Sequence, residues 1–293
     1  MVDLALGRRE GREPTRAYRG HSPISRGLLY LAAFTVLGAI IIPVAYAVLG
    51  GFRDTPQLAA DPAGLPDPWV FTNYLDVLGS GSFWQQVWNS TLIAGVTVAL
   101  VLPAASLAAF VIARFEFRGR EWIYTLFTLG LLFPVAVAIL PLYVVVRQLD
   151  LINTPLGVVL PQVAFQLPLS IVILRPFFAS IPRELEEAAI LDGAGSLRFY
   201  WSVLLPLSRP VLSTIAVLAV VTSWNAFLLP LVVLTDSGGW TLPIGVTNYS
   251  TQYTTDTARV LAYTTLAMIP ALLFYAVAER QIVRGLIAKG IKG

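Results

Sequence analysis

The residues of this chain most able to bind a ligand are uncharged polar and aromatic side chains that lie within long apolar stretches. Gln162 and Gln166 are four positions apart, so a helix places both amides on one face, where they could replace water around the hydroxyl groups of a solute. Trp224 and Asn225 form a second pair, because an aromatic face could stack on a ring of the solute. For all four residues the alternative is packing or hydrogen bonding that only holds helices together, and the residue types leave it open.

The sequence lacks the residue patterns of common catalytic sites. It has no GxxxxGK[ST] phosphate-binding loop, and its only lysines, Lys289 and Lys292, lie near the C-terminal end. Gly193 and Gly195 do not follow a strand and lack the third glycine of a dinucleotide-binding fingerprint. The only histidine, His21, has no partner for a catalytic triad or a metal site, and there is no cysteine. We therefore predict that this chain is not an enzyme and holds no catalytic residue, metal or cofactor.

The composition indicates the solvent in which these residues lie. The mean hydropathy is +0.73, 56% of the residues are hydrophobic, and 13% are charged, which is about half the usual proportion in globular proteins. The pI of 9.3 is no sign of nucleic-acid binding, because the basic residues are dispersed beside apolar segments and do not form one patch. The sequence therefore predicts an all-α, polytopic membrane protein.

Six apolar runs are each long enough to cross a bilayer, which takes roughly 20 residues. The third and fourth runs contain prolines, which remove backbone donors and predict kinks or interruptions that neighbouring helices must accommodate, at Pro134 and Pro141 and at Pro161, Pro168 and Pro176. We expect a six-span domain over residues 27–283, between an N-terminal tail (1–26) and a C-terminal tail (284–293). The predicted spans are 28–49, 87–113, 122–146, a run that follows a turn at 153–155 and ends near 178, 211–234 and 258–277.

The distribution of basic residues predicts the orientation of these spans. Of the 20 Lys and Arg residues, 17 fall in the N-terminal tail, in the turn at 114–120, in the segment 175–209 and in the C-terminal segment that begins at Arg280, which leaves only Arg53, Arg147 and Arg259 elsewhere. Basic residues are enriched on the cytoplasmic side of membrane proteins. We therefore expect both termini and the loop 180–209 in the cytoplasm, and the loops 52–84 and 235–257 outside.

The loop 180–209 is the most charged segment between two apolar runs. Ser180 is a candidate N-cap, Pro182 suits a first helical turn, and acidic residues follow at the positive end of the helix dipole. Gly193 is suited to end this helix, after which Ser196 could cap a second helix that Pro206 limits. The prediction is a helix, a glycine bend and a second helix, with a shallow face at Ala188 and Ala189 that another protein could approach closely beside Glu187.

Here the sequence resembles a known family. Its spacing of Glu187-Ala188-Ala189, Gly193, Val203 and Leu205-Pro206 resembles the EAA loop of bacterial ABC-importer permeases, with Val203 in place of the usual Ile. From about residue 27 nearly the whole chain is similar to carbohydrate-type permeases, the family of the smaller maltose permease subunit. The further matching segments are Asn89-Ser90, Ala113-Arg114-Phe115, Arg118-Gly119-Arg120, Pro141-Leu142-Tyr143, Trp224-Asn225, Pro230-Leu231, Arg284-Gly285-Leu286 and Lys292-Gly293.

The resemblance implies a permease subunit of an ATP-driven importer in a bacterial cell membrane, carrying a sugar or small oligosaccharide. Its expected partners are a second permease subunit, two ATPase subunits that bind ATP and Mg²⁺, and an extracytoplasmic solute-binding protein. The matching residues expected to couple to the ATPase are Glu187, Ala188, Ala189, Asp192, Gly193 and Pro206. In that family the last external loop faces the solute-binding protein, which here would be contacted by Gly238, Gly239 and Trp240.

Two alternatives remain at this stage. One is an ABC permease for another small solute. The other is a secondary transporter driven by an ion gradient, which typically carries acidic residues near the membrane midplane. None is evident here, because Asp150 is expected near the outer surface and Glu279 near the inner one.

Overall fold

The computed structural model describes residues 23–251 and 253–290, and side-chain surroundings for 27–251 and 253–276. Within these ranges the chain is helical and has no β-strand, which confirms the all-α prediction. The side chains of both predicted tails, 1–26 and 284–293, lie outside the described residues. The helices are α1 (Pro23–Gly50), α2 (Thr55–Ala60), α3 (Thr72–Gly79), α4 (Gly81–Arg114), α5 (Arg120–Gly130), α6 (Val135–Gln148), α7 (Pro155–Ser180), α8 (Arg183–Leu191), α9 (Ser196–Leu207), α10 (Arg209–Trp224), α11 (Leu228–Val233), α12 (Leu242–Gly245) and α13 (Thr257–Gly290).

Four helices, α1, α4, α7 and the first part of α13, are long and apolar enough to cross a membrane. Two bent pairs bring the number to six when each pair is counted as one span: α5 with α6, bent by 102°, and α9 with α10, bent by 77°. The described residues therefore supply four to six spans. The count of six agrees with the prediction, although it assigns α9 to a span, whereas the sequence analysis places α9 in the cytoplasmic loop 180–209. The break between α5 and α6 falls at Pro134, as the sequence predicts, because proline cannot continue the helix before it.

Two details of the spans differ from the predictions. The helix α7 is continuous through Pro161, Pro168 and Pro176, so the predicted interruption is wrong. These prolines are about two turns apart, and each removes a single backbone donor while the bonds on either side of it remain. The predicted fifth span, 211–234, is in turn divided at Asn225 into α10 and α11.

The chain divides after Tyr46 into two units. In the first unit α1 presents a run of exposed apolar side chains. The second unit is organised around α4, which contributes to each of its three buried clusters. One cluster joins α4 to α7, α9 and α10, a second joins it to α6, α7 and α11, and the third joins it to α3, α12 and α13. The helix α4 is thus the common wall of this unit.

The segments expected outside the membrane are folded. In the first, Arg53 is 3% exposed, and its guanidinium donates to the carbonyl oxygens of Gln57 (2.7 Å) and Asp61 (2.6 Å) at the end of α2. The buried amide of Asn73 donates to the Arg53 carbonyl at 2.7 Å. In the second, 235–257, short helical turns flank α12. Over their described residues both segments are therefore folded and can present side chains.

Candidate functional site

The predicted pair of docking helices is present as α8 and α9. The start of α8 differs from the prediction, because Ser180 is the last residue of α7 and its hydroxyl donates to the Phe177 carbonyl at 2.7 Å. Pro182 holds the N-cap position without a side-chain hydrogen bond. A residue before proline is biased towards extended backbone. Ile181, which precedes Pro182, is extended, so α7 ends at Ser180 and α8 starts after Pro182. Glu184 and Glu186 lie in the first turn of α8, as predicted.

The bend between the two helices is built on Gly193, as the sequence predicts. Gly193 has a φ of +78°, and its N–H donates to the Ile190 carbonyl at 2.9 Å. The Ala194 N–H donates to the Ala189 carbonyl at 2.8 Å. This pair of bonds is the Schellman motif, which closes a helix through one left-handed residue. Gly195, and not the predicted Ser196, is the N-cap of α9.

The residues expected to couple to a partner differ in exposure. Glu187, Ala188, Asp192, Gly193 and Pro206 are exposed, which leaves them free for contact. Ala189 is half-buried and packs against the cluster that joins α4, α7, α9 and α10, so it supports α8 and does not widen the outward face.

Large apolar side chains surround the bend, and the sequence prediction did not include them. Leu191 is 88% exposed, Leu197 63%, Ile190 60% and Trp201 59%. A group of exposed apolar residues on a short polar segment is typical of an interaction surface. The signal in the sequence was the presence of these residues beside Gly193, but only the fold shows that they face outward.

The second docking helix contains a π-helical segment, Tyr200–Leu204, which ends two residues before Pro206. The Leu205 N–H bonds to the Tyr200 carbonyl, which is the widened pattern of a π-helix, and Pro206 has no N–H to bond. Tyr200 is 1% exposed, and its hydroxyl lies 2.7 Å from that of Ser106 on α4. Pro206 does not end α9, whose last residue is Leu207. The hydrogen bond between Tyr200 and Ser106 ties α9 to α4.

Arg114, at the end of α4, makes buried contacts that the sequence analysis did not predict. The positive-inside pattern treats it as an exposed anchor, yet its side chain is 3% exposed. Its Nη2 donates to the Ile181 carbonyl at 2.8 Å, and its Nη1 is 3.5 Å from the Glu186 carboxylate. Glu186 thus faces inward, while the neighbouring Glu187 faces outward.

Gln162 and Gln166 lie together on a cavity of about 450 Å³ between α6, α7, α10 and α11. The side-chain oxygen of Gln162, Oε1, accepts hydrogen bonds from the hydroxyls of Thr97 (3.2 Å) and Ser223 (2.6 Å), which fixes the orientation of the amide. The NH₂ groups of Gln162 and Gln166 are buried and have no hydrogen-bond partner. Buried donors without partners are rare, which makes these two NH₂ groups candidates for binding an acceptor.

Of Trp224 and Asn225, only Asn225 lies on the cavity that holds the two glutamines. Asn225 borders the glutamine cavity, and its amide donates to the Val221 carbonyl at 2.8 Å. Trp224 borders a separate, mostly apolar cavity of about 410 Å³ that includes Asn225, Met268 and Tyr275. The predicted group therefore divides, with Asn225 lying between the two cavities.

Gly238, Gly239 and Trp240 form a segment that is tied to α4. The Asn89 amide donates to the carbonyls of Gly238 and Trp240, both at 2.9 Å. Gly238 is exposed, but Trp240 is half-buried and packs against the cluster formed by α4, α6, α7 and α11. Trp240 therefore does not project from the tip of a loop.

A polar cavity of about 550 Å³ lies beside this segment, between the start of α4 and the turn that follows α12. Gln85, Gln86, Asn248 and Tyr249 are among its lining residues. Burial raises the pKa of the Tyr249 hydroxyl above its ordinary value, and this hydroxyl, which is protonated at neutral pH in either case, can donate a hydrogen bond. No group of residues in the described part of the chain could hold a metal ion.

Comparison with known proteins gives a consistent result. Residues 101–284 match the family model "Binding-protein-dependent transport system inner membrane component". The chain is 35% identical to the diacetylchitobiose uptake system permease protein NgcG of Streptomyces coelicolor, over 93% of this chain and 89% of that protein. It is 30% identical to the arabinooligosaccharides transport system permease protein AraQ of Halalkalibacterium halodurans, over 94% and 99%. Its fold is similar to a chain of a bacterial ABC transporter that imports alginate, with a TM-score of 0.74, 22% identity, and coverage of 89% of this chain and 98% of that one.

Proposed function

The chain belongs to the family of binding-protein-dependent transport system inner membrane components, and we propose that it is the permease subunit through which an ABC importer takes up a sugar or a small oligosaccharide. It is a multi-pass membrane protein and a transport component. The sugar cargo is supported by relatives that cover most of the chain and are themselves named as permeases for diacetylchitobiose and arabinooligosaccharides. The fold alone does not favour a particular cargo.

The observation that carries this proposal is the surface formed by α8, Gly193 and α9. It joins an outward carboxylate, Glu187, to the exposed apolar residues Leu191, Leu197 and Trp201. Its proposed occupant is a separate ATPase subunit with a basic residue opposite Glu187. ATP and Mg²⁺ bind to that subunit, which hydrolyses the ATP. Closure of two such ATPase subunits would move α8 and α9, and the spans would then alternate access between the two sides.

The proposed path for the sugar passes the cavity that holds Gln162 and Gln166. Their unpartnered NH₂ groups can donate to sugar oxygens, and a neutral donor pair suits an uncharged solute. The remaining partners are a second permease subunit, which would complete the path, and an extracytoplasmic solute-binding protein, which would approach the segment 237–240.

We place both termini and the α8–α9 surface in the bacterial cytoplasm, because 17 of the 20 basic residues then lie on that side. A reporter fused after Gly293 should be cytoplasmic, and one inserted near Gly239 should be external. Finding both reporters on one side would contradict this orientation.

Transport is tested directly by uptake of a panel of labelled oligosaccharides into vesicles that contain the complete complex. We expect ATP-dependent uptake of at least one sugar, together with stimulation of ATP hydrolysis by that sugar. If a peptide or an amino acid stimulates hydrolysis and no sugar does, the cargo belongs to another class. If uptake follows an ion gradient and needs no ATP, the importer assignment itself is wrong.

The docking role is tested by Glu187→Lys. Charge reversal turns attraction into repulsion, and the loss typical of a close interfacial pair, about 2–5 kcal/mol, would lower uptake by more than about tenfold. The folded permease should be recovered in normal amounts, because Glu187 is exposed. Arg118→Glu, a charge reversal at an exposed residue that lies outside α8 and α9 and forms no ion pair among the described residues, is the control and should retain uptake.

A further inference from the structure

We infer that α4 is a rod that transmits movement of the docking helices to the external segment 237–242, with Arg114 and Asn89 as positioning residues at its two ends. The inference rests on the proposed docking of α8 and α9 to an ATPase. It adds a route by which the state of the ATPase reaches the side of the protein that would receive the solute.

The cytoplasmic end of the rod is the guanidinium of Arg114. It donates to the carbonyl of Ile181, which joins α7 to α8, and it faces the carboxylate of Glu186 on α8. Its central carbon also lies 5.9 Å from the ring centroid of Phe199 on α9. A single side chain of α4 thus contacts both docking helices and the joint before them.

Burial makes these contacts hard to exchange for water. The side chains of Arg114 and Glu186 are 3% and 22% exposed, whereas those of Arg183 and Glu116, an ion pair on the same side of the unit, are 67% and 76% exposed. A buried charge that loses its partners is strongly destabilised, while an exposed pair contributes little. A shift of α8 must therefore either carry Arg114 along or leave it uncompensated, and carrying it along moves α4.

The other end of the rod holds the external segment. Asn89 donates to the carbonyls of Gly238 and Trp240, and the Ser90 hydroxyl accepts from the Leu242 N–H at 2.9 Å. Twenty-five residues separate Asn89 from Arg114, which corresponds to about 37 Å of helix. The two ends therefore contact elements on opposite sides of the apolar region.

Between its ends α4 has the properties of a rigid element. It is a single helix of 34 residues, and Pro103 does not divide it. Thr97, Val101, Ala105 and Ala109 recur every fourth position and are fully buried, which gives α4 one continuous packed stripe. Coupling between distant sites can travel along such a chain of packed contacts.

The absence of native cysteine permits a specific test. The exposed residue Ser237, beside Gly238, is changed to Cys in the complete complex in nanodiscs, and its labelling by a hydrophilic maleimide is timed without nucleotide and with ATP and vanadate. The quantity compared is the labelling ratio, the faster of the two labelling rates divided by the slower. Allosteric couplings typically correspond to about 5–150-fold, so we expect a labelling ratio of at least about five. After Arg114→Ala or Asn89→Ala we expect it to be below about two. Thr91→Ala and Arg118→Ala, at exposed positions near the two ends, are the controls and should keep the full ratio.

Further variants separate a positioning role from general damage. Arg114→Lys keeps the charge, but an ammonium group lacks the planar guanidinium that reaches a carbonyl and a carboxylate at the same time. We therefore expect a labelling ratio between those of the unaltered protein and Arg114→Ala. Asn89→Ala should lose the response at Ser237 while ATP hydrolysis continues, because it leaves the cytoplasmic contacts unchanged. If the Arg114→Ala complex fails to assemble, the result for Asn89→Ala decides.

The possible failures can be distinguished. If Arg114→Ala and Asn89→Ala both keep the labelling ratio of the unaltered complex, the inference that α4 transmits movement is wrong. It is also wrong if labelling at position 237 is the same with and without nucleotide in a complex that still transports sugar. Absence of any ATP-driven uptake by the unaltered complex would instead refute the proposed function.

Discussion

The bend at Gly193 gives the sharpest energetic test of the docking surface. Its φ of +78° is a left-handed conformation, and a Cβ built there has no atom within 4 Å. Replacement by Ser therefore adds backbone strain and no steric clash. Left-handed backbone costs a residue with a side chain about 1–2 kcal/mol, from which about 0.4–1 kcal/mol is recovered because the unfolded chain loses freedom. The net cost of about 1 kcal/mol lowers the population of the formed bend relative to the unformed one by about fivefold.

Gly195 provides the matched control two residues away. It also has no atom within 4 Å of a built Cβ, but its φ of −74° is accessible to any residue. It occupies the N-cap of α9, where Ser is a preferred residue. The same substitution, Gly195→Ser, should therefore be neutral or slightly stabilising. Gly193→Asn should recover most of the loss seen in Gly193→Ser, because Asn tolerates the left-handed region.

The assay is the affinity of the ATPase subunit for membranes that contain the permease, with sugar uptake measured in parallel. We expect affinity to fall by up to about fivefold for Gly193→Ser, the limit that corresponds to about 1 kcal/mol, and to fall less for Gly193→Asn and Gly195→Ser. Equal losses for the two Ser variants, or a greater loss for Asn than for Ser at 193, would refute the argument from the left-handed bend.

Three further predictions concern packing and hydrogen bonds. In Gly245→Ala the new Cβ would overlap the Tyr263 hydroxyl, so the protein in detergent should lose about 1–3 kcal/mol of stability by thermal unfolding, and an unchanged midpoint would contradict this. Asn153→Ala removes a side-chain oxygen that accepts three hydrogen bonds from residues 235–236, so proteolysis within 235–257 should accelerate about fivefold or more, and normal protection would show that the contact is dispensable. Ser223→Ala removes one of the two hydroxyl groups that donate to the side-chain oxygen of Gln162, and it should lower the free energy of unfolding by about 1 kcal/mol in the same assay. A stabilised variant would mean that this hydrogen bond holds the amide under strain.

The sequence was sufficient where a feature depends on neighbours along the chain. Gly193 could be assigned as a helix end because glycine, the acidic first turn before it and the polar setting all favour the same local structure. The break at Pro134 follows equally from a local rule. The spans were predictable because about 20 apolar residues are needed wherever a helix crosses lipid.

Features that depend on distant residues could not be predicted in this way. Arg114 and the Ile181 carbonyl are 67 residues apart, and no local pattern indicates that they meet. The basic residue fitted the positive-inside pattern, which explains its presence on the cytoplasmic side but not its burial. For α7 the local rule for proline predicted an interruption that does not occur. Packing against α4 stabilises this helix although its prolines disfavour a continuous helix.

The contrast between Glu186 and Glu187 shows how local and distant information combine at the docking surface. Two adjacent residues of a helix point about 100° apart, so only one of them can face the rest of the unit. The sequence shows two equivalent carboxylates, and their roles are separated by the position of the Arg114 guanidinium, which pairs with Glu186. Because that pair already compensates one negative charge, the charge of Glu187 is left for a partner. The outward charge that the sequence assigned to docking therefore depends on an inward ion pair that it did not predict.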